Sequence, residues 1–217
     1  YGKKLLVRKI NSFPNKDRLS ISFYSKKLTK NVPINEDSTV ITKKTNYKYL
    51  KDSNVSAIFS DFPKYDLARV LNKFFKKKII KNKDFKLGKE CKIGKNFYAS
   101  NGVIIEDNVK IGNNVHIGYN SIIKSNVTIQ SNVLIQSGAV IGAEAFSFGY
   151  NKASKEKYLK VPSSGGVLIE EGSQIGNNCV IQRGLIENTI IRENVKINDL
   201  SNIGNSVLIG ENSLIMA

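Results

Sequence analysis

The sequence predicts a mainly β chain: a small α/β domain followed by a parallel β-helix of hexapeptide repeats. Three observations carry that expectation. An aliphatic residue returns every six positions through the second half. The first half lacks this period and alternates short β-rich runs with a helical pattern. Almost all of the excess positive charge lies in the first half.

The α/β domain is expected over 1–84. "STVIT" and "VSAIFS" read as short strands, bounded by polar residues and rich in β-branched side chains. Residues 64–78, "KYDLARVLNKFFKKK", place Leu67, Val70, Leu71, Phe74 and Phe75 on one helical face. Pro63 stands where such a helix begins, since its fixed φ suits the first helical position. "KKKIIKNKDFKLG" is the joint into the repeats.

The β-helix is expected over 85–217. Stepping by six from Leu87 meets Ile93, Ala99, Ile105, Ile111, Ile117, Ile123, Ile129, Ile135 and Ile141. After a break come Ile169, Ile175 and Ile181, and after a four-residue slip Ile191, Ile197, Ile203, Ile209 and Ile215. Of these 18 positions 17 are Leu or Ile, which decides for a repeat architecture. The fourth position after the aliphatic residue is often β-branched, as at Val103, Val109, Val115, Val127, Val133 and Val207. Three hexapeptides make a triangular coil, so about six coils are expected, with Gly and Asn at the tight corners. Cys91 and Cys179 fall at the fourth position too, which makes them inward packing residues. The repeat breaks at length once, and 146–167 is expected to be a loop insertion with a site-building role, containing Phe146, Phe148 and Tyr150.

Composition narrows the function. Residues 1–90 hold 23 Lys or Arg against 8 acids, whereas 91–217 hold 11 against 10. A basic half attracts phosphates or an acidic partner protein, but no nucleic-acid motif or Arg-rich stripe accompanies it. No run of 18 apolar residues exists and the start lacks the apolar core of a signal peptide, so a cytoplasmic protein without a transmembrane segment is expected. The two cysteines lack a C-x-x-C companion, so neither a metal site nor a disulfide framework is indicated. Tyr1 is not an initiator methionine, which suggests a trimmed start, and "ENSLIMA" ends the repeats without a cap, which suggests either a trimmed chain or one that has lost binding to a carrier protein.

The run "IQSGAVIGAEAFSFGY", then "YLKVPSSGGVLIEEGSQIGNNCVIQRGLIENTIIRENVKI", resembles UDP-3-O-acylglucosamine N-acyltransferases, the lipid A enzymes of bacteria. The family's "GFGF"-like segment and "K-[VI]-P" correspond to "AFSF" and Lys160 to Pro162, and its "DRGALDDT" to "QRGLIENT" with the same slip. Its "NPKY" corresponds to "NYKY" at Asn46 to Tyr49, so the resemblance spans most of the chain.

The resemblance implies a left-handed β-helix, a homotrimer and transfer of a 3-hydroxyacyl chain from acyl carrier protein to the amine of a UDP-3-O-acylglucosamine. The donor is then the carrier's phosphopantetheine thioester, with no bound cofactor and no metal. It implies that Asn46 and Tyr49 hold the uracil ring, with Lys43 where the family has an aromatic residue. Phe146 and Phe148 line the path of the acyl arm, and Gln182 replaces the Asp of "DRG". The family's catalytic histidine, in "I-[AG]-H-N", corresponds to Asn205 of "IGNS", preceded by Gly204 as an oxyanion donor. The Asp-Asn before it has become Asn198-Asp199.

A carboxamide has no usable basicity near pH 7, so the base must be replaced or missing. Asp199 or Glu187 is an acidic replacement, each needing a pKa raised by burial. The one histidine, His116, lies in a different register and reads as a solvent-facing strand residue. Two alternatives stand beside the lipid A reading. One is a catalytically idle homologue that binds a nucleotide sugar or serves assembly; the other is an acetyl-CoA-dependent N-acetyltransferase acting on a nucleotide amino sugar.

Overall fold

The computed structural model describes residues 9–10, 18–28, 37–51, 55–74 and 84–217, and the chain divides into two compact units, Tyr1–Lys78 and Ile79–Ala217. In the first unit β1 (Lys9–Ile10), β2 (Ser20–Tyr24), β3 (Thr39–Thr42) and β4 (Ser56–Phe59) form one sheet in that order, every pair parallel. The strands expected at "STVIT" and "VSAIFS" are β3 and β4; β1 and β2 add two more. A short 3₁₀ turn (Lys44–Asn46) and α1 (Tyr47–Leu50) connect β3 to β4, and α2 (Pro63–Phe74) follows β4.

Every residue of β3 is buried, as a parallel strand covered on both faces requires. On one face Leu67, Val70 and Leu71 of α2 pack against Ile21, Phe23 and Ile41. On the other, Val40 and Ala57 pack with Leu28, Leu50 and Val55. The expected helix extends to 78, but residues 75–78 and the Phe74 side chain lie outside the described residues.

The second unit is a parallel β-solenoid with three six-stranded sheets, hence six coils. The first sheet aligns Leu87, Ile105, Ile123, Ile141, Ile181 and Ile203. The second aligns Ile93, Ile111, Ile129, Ile169, Ile191 and Ile209. The third aligns Ala99, Ile117, Ile135, Ile175, Ile197 and Ile215. The six-residue period therefore steps from sheet to sheet, and each side chain stacks on its counterpart one coil away.

From Ala99 to Ile209 these residues form one continuous core, to which Val103, Val109, Val115, Val127, Val133 and Cys179 contribute from the fourth position, while Leu87 in the first coil is 50% exposed. Cys91 packs against the core's end while partly exposed, and Val207 in the outermost coil remains 37% exposed. Burial pushes the Cys179 thiol up from its ordinary value, so this cysteine is an inert packing group.

Tight corners demand left-handed backbone, which Asn tolerates better than other side chains because its amide bonds locally. Among the described residues nine asparagines take positive φ, including Asn96, Asn114 and Asn132. These three form a ladder between coils: Asn96 donates to Asn114 at 3.0 Å, Asn114 to Asn132 at 2.9 Å, and Asn132 to Glu171 at 2.6 Å. No helix among the described residues is long and apolar enough to cross a membrane.

Candidate functional site

The corner between the first and second sheets departs from regularity in the fourth and fifth coils, and the regular turn of the sixth stacks on them. After Ile141 the chain leaves the solenoid and re-enters it at the strand Val167–Ile169. After Ile181 it carries the four extra residues of the slip before Thr189–Ile191. After Ile203 it turns through Gly204, Asn205 and Ser206. Features more than 60 residues apart in sequence thus stack on one corner.

Hydrogen bonds join the three layers. The returning limb of the excursion holds the slip, with Ser164 N–H donating to the Leu185 carbonyl at 2.9 Å and Gly166 N–H to Asn188 Oδ1 at 2.8 Å. The slip in turn holds the Asn205 turn: Leu185 N–H donates to Ser206 Oγ at 3.1 Å and Ser206 N–H to Thr189 Oγ1 at 2.9 Å. Gly184 permits this fold-back, because a Cβ there would collide with the Glu187 carbonyl.

Below lies a polar brace absent from the expected site residues. Arg183 is 8% exposed, donating through Nε to the Gly142 carbonyl at 3.0 Å and through Nη2 to the Ser125 carbonyl at 2.7 Å. Glu106 Oε1 meets Lys124 Nζ at 2.5 Å, and its Oε2 accepts from Ser125 N–H at 3.0 Å. Burial alone would raise the Glu106 pKa, but the Lys124 and Ser125 hydrogen bonds with the charges of Lys124 and Arg183 hold it below the ordinary value. One signal was available in the sequence: Glu106 and Lys124 are opposite charges one coil apart.

The excursion carries a hairpin in which Phe148–Tyr150 pairs antiparallel with Tyr158–Lys160. Phe146 and Phe148 meet edge to face at 5.1 Å, and Phe146 is 82% exposed. Lys160 donates to the Ala145 carbonyl while its ammonium lies 5.1 Å from the Phe148 ring centre.

The structure brings Gln182, Gly204 and Asn205 to this corner, where the excursion bearing Phe146 and Phe148 also departs. Gln182 follows Ile181, which is paired with Ile203, so it stands beside Gly204. The strand Asn202–Ile203 is the last described strand of the first sheet, and at the equivalent position of earlier coils Gly88, Glu106 and Lys124 each donate their N–H to the following coil. Glu187 is an exposed carboxylate in the slip on the same corner.

Asp199 requires a correction. It follows Ile197 of the third sheet, so it sits on a different corner, with the strand Asn202–Ile203 between it and Asn205. Its Oδ1 accepts from the Asn177 N–H at 2.6 Å and from Asn177 Nδ2 at 3.1 Å, so it is a turn-holding residue and not a stand-in base. His116, on the third sheet opposite Tyr98 and Leu134, is half-buried rather than solvent-facing.

Asn46 is also corrected. Asn46 is fully buried: Oδ1 accepts from Leu28 N–H at 2.9 Å, and Nδ2 donates to the Lys26 carbonyl at 2.9 Å and to Thr42 Oγ1 at 2.8 Å. Both ends of its amide are used inside the unit, leaving no donor to read a base. Tyr49 packs on the Leu28–Val40–Leu50 cluster, with the Lys48 ammonium 4.9 Å from its ring centre. Lys43, following β3, remains exposed.

The chain matches the bacterial transferase hexapeptide family (six repeats) over residues 90–125 and 108–143. Among curated relatives, a UDP-3-O-acylglucosamine N-acyltransferase of Geobacter sp. (strain M21) is 42% identical over 78 residues, covering 36% of this chain and 22% of the relative. The enzyme of that name from Coxiella burnetii (strain Dugway 5J108-111) is 40% identical over 76 residues, 35% of this chain and 22% of the relative. The match thus spans about a fifth of the length of these relatives. Among solved structures, an N-acyltransferase of Bacillus cereus in complex with dTDP and coenzyme A has a TM-score of 0.49 at 17% identity, covering 67% of this chain and 82% of that one. WeeI from Acinetobacter baumannii AYE has a TM-score of 0.41 at 14% identity, covering 94% and 84%. With its three stacked sheets, the chain is a hexapeptide-repeat β-helix whose curated relatives are N-acyltransferases.

Proposed function

We propose that the chain is an acyltransferase of the lipid A type, moving an acyl group from a thioester to the amine of a UDP-linked amino sugar. The observation that carries the reading is the convergence of excursion, slip and Asn205 turn on one corner, where the resemblance puts the reacting groups. In this reaction the amine nitrogen bonds to the thioester carbonyl carbon, the carbon–sulfur bond breaks, and the proton lost by nitrogen ends on the departing thiolate by way of a base. We assign the oxyanion to the backbone N–H of Gly204, beside the Asn205 position.

Asn205 cannot take the proton, so transfer in this chain relies on positioning and on a carboxylate or solvent as acceptor. A general base contributes about 100- to 10,000-fold. The purified protein, given UDP-3-O-acylglucosamine with acyl carrier protein thioester or acetyl-CoA, is expected to transfer slowly from the carrier. Asn205→His is expected to raise the rate at least about 100-fold, with a limb rising through pH ~6.5 as the imidazole loses its proton. Faster transfer from acetyl-CoA supports the acetyltransferase reading; no transfer by either protein removes the catalytic reading and leaves the idle homologue.

The donor in this proposal is an acidic carrier protein, for which the 23 cationic side chains of residues 1–90 provide attraction. We also assign a homotrimer. Ile104, Ile122, Val140 and Val180 form an outward aliphatic row on the first sheet, and Leu168, Ile190 and Leu208 one on the second. Light scattering that gives a monomer would remove the trimer.

A further inference from the structure

We infer that the tip of the excursion's hairpin docks on an anionic lipid surface, with Tyr150, Tyr158 and Leu159 entering the headgroup layer and Lys152, Lys155 and Lys157 meeting its charge. The contact uses none of the groups assigned to the transfer reaction, so it stands or falls apart from that reaction.

The hairpin keeps its apolar side chains out of the core. Residues 148–160 are all exposed, with Tyr158 and Leu159 each at 67% and Tyr150 at 61%. Cross-strand pairing sets Tyr150 opposite Tyr158, with ring centres 5.1 Å apart, and Leu159 opposite Gly149, which has no side chain. Successive residues of a strand face opposite ways, so the two tyrosines share one face and Leu159 projects from the other. The loop between the strands is closed by its own hydrogen bonds. Asn151 N–H donates to the Lys157 carbonyl at 3.0 Å, and Ala153 N–H to Asn151 Oδ1 at 3.0 Å. Apolar groups therefore stand on both faces of a ribbon whose tip is already folded.

Charge selects the partner. Lys152, Lys155 and Lys157 lie in this closed tip, and Glu156 is the one acid between Glu144 and Glu170. Lys160 does not belong to the set, since it donates to the Ala145 carbonyl beside the Phe148 ring. Tyrosine suits the boundary between water and hydrocarbon, because its ring leaves water while its hydroxyl stays in it, and lysine stems carry their ammonium groups to anionic headgroups. A specific protein partner is met by one patch with an apolar centre and a polar rim. Here the apolar groups project from opposite faces of a thin ribbon, a shape that enters a soft layer more readily than it matches one rigid surface. A second copy of the chain, with a net charge of +16, offers these cations no opposing field.

The chain contains no tryptophan, so Tyr158→Trp places a single fluorescent reporter on the hairpin. With vesicles of equal parts phosphatidylcholine and phosphatidylglycerol its emission is expected to shift to the blue as the ring leaves water. With phosphatidylcholine alone it is expected to stay unshifted. In cosedimentation with the mixed vesicles each tip lysine is worth about fivefold, so Lys152→Gln, Lys155→Gln and Lys157→Gln combined should weaken binding about 100-fold. Lys86→Gln, Lys89→Gln and Lys95→Gln combined remove the same charge from the first coil and should weaken it less than about fivefold, since charges beyond a screening length of the surface count little. Tyr150→Ser with Leu159→Ser should weaken binding about tenfold through lost apolar burial while leaving the urea midpoint unchanged, because neither side chain belongs to the core. Cosedimentation without a blue shift would place the contact on the basic first unit and overturn the proposal. An equal shift with both kinds of vesicle would overturn the anionic assignment, and absence of binding to the mixed vesicles would overturn the whole. A shift produced by acyl carrier protein and not by vesicles would make the partner an acidic protein instead; one that grows with protein concentration alone would make it a second copy.

Discussion

Leu200 holds a left-handed backbone at φ 61° while 74% of its surface faces solvent. A bulky side chain in that region costs about 1–2 kcal/mol, and this one recovers little by packing. Asparagine occupies the equivalent turn position at Asn120 and Asn178. Leu200→Asn is therefore expected to stabilise the solenoid by about 0.5–1 kcal/mol, read as a higher urea midpoint with an unchanged slope. A lower midpoint would mean that Leu200 is covered by a neighbour in solution. Single residues were also where reading from sequence failed most. The letters at Asn46 and Asp199 match or neighbour functional positions of the resembled family, yet each is held by internal contacts. Which bonds an amide or carboxylate makes depends on partners 18 to 22 residues away, and residue type does not reveal that.

At the scale of elements, the first corner shows what a period does encode. A six-residue repeat determines which residues stack one coil apart, so the Glu106–Lys124 pair follows from an 18-residue spacing. Because the folded Glu106 pKa lies below its unfolded value, the pair stabilises the fold above the unfolded pKa near 4.3 and loses that contribution as pH falls through the folded value. The Glu106 side chain is 34% exposed, so solvent screening limits the effect to below about 1 kcal/mol. Urea midpoints at pH 7 and pH 4 are expected to differ less in Glu106→Gln than in the unaltered chain, and an equal difference in both would show that the pair is inert. The same spacing rule could have placed excursion, slip and Asn205 on one corner, since Ile141, Ile181 and Ile203 occupy one sheet once the inserted residues are removed. What periodicity does not encode is the hairpin inside the excursion. Its exposed rings serve no core, so no burial pattern marks its strands.

For the molecule as a whole, the solenoid was legible because one physical demand, an inward aliphatic residue at every strand, repeats 18 times. The sheet of the first unit was less so, because each of its strands is a separate packing problem and β2 carries buried serines at Ser20 and Ser22 among its apolar residues. A stacked architecture also makes a quantitative claim about where stability resides. Each coil touches only its neighbours, so a cavity costs most where coils lie on both sides and least at an outer coil. Ile135 is fully buried between Ile117 and Ile175, whereas Ile209 lies on the outer strand of its sheet at 8% exposure. Ile135→Ala should cost about 3–5 kcal/mol, because its surroundings cannot collapse around the missing methylenes. Ile209→Ala should cost nearer 2 kcal/mol, since Ile209 is already 8% exposed and loses less burial than Ile135. Urea unfolding of the two variants under identical conditions checks the order, provided both keep the slope of the unaltered chain. Equal losses would mean that Ile209 is as tightly covered as Ile135.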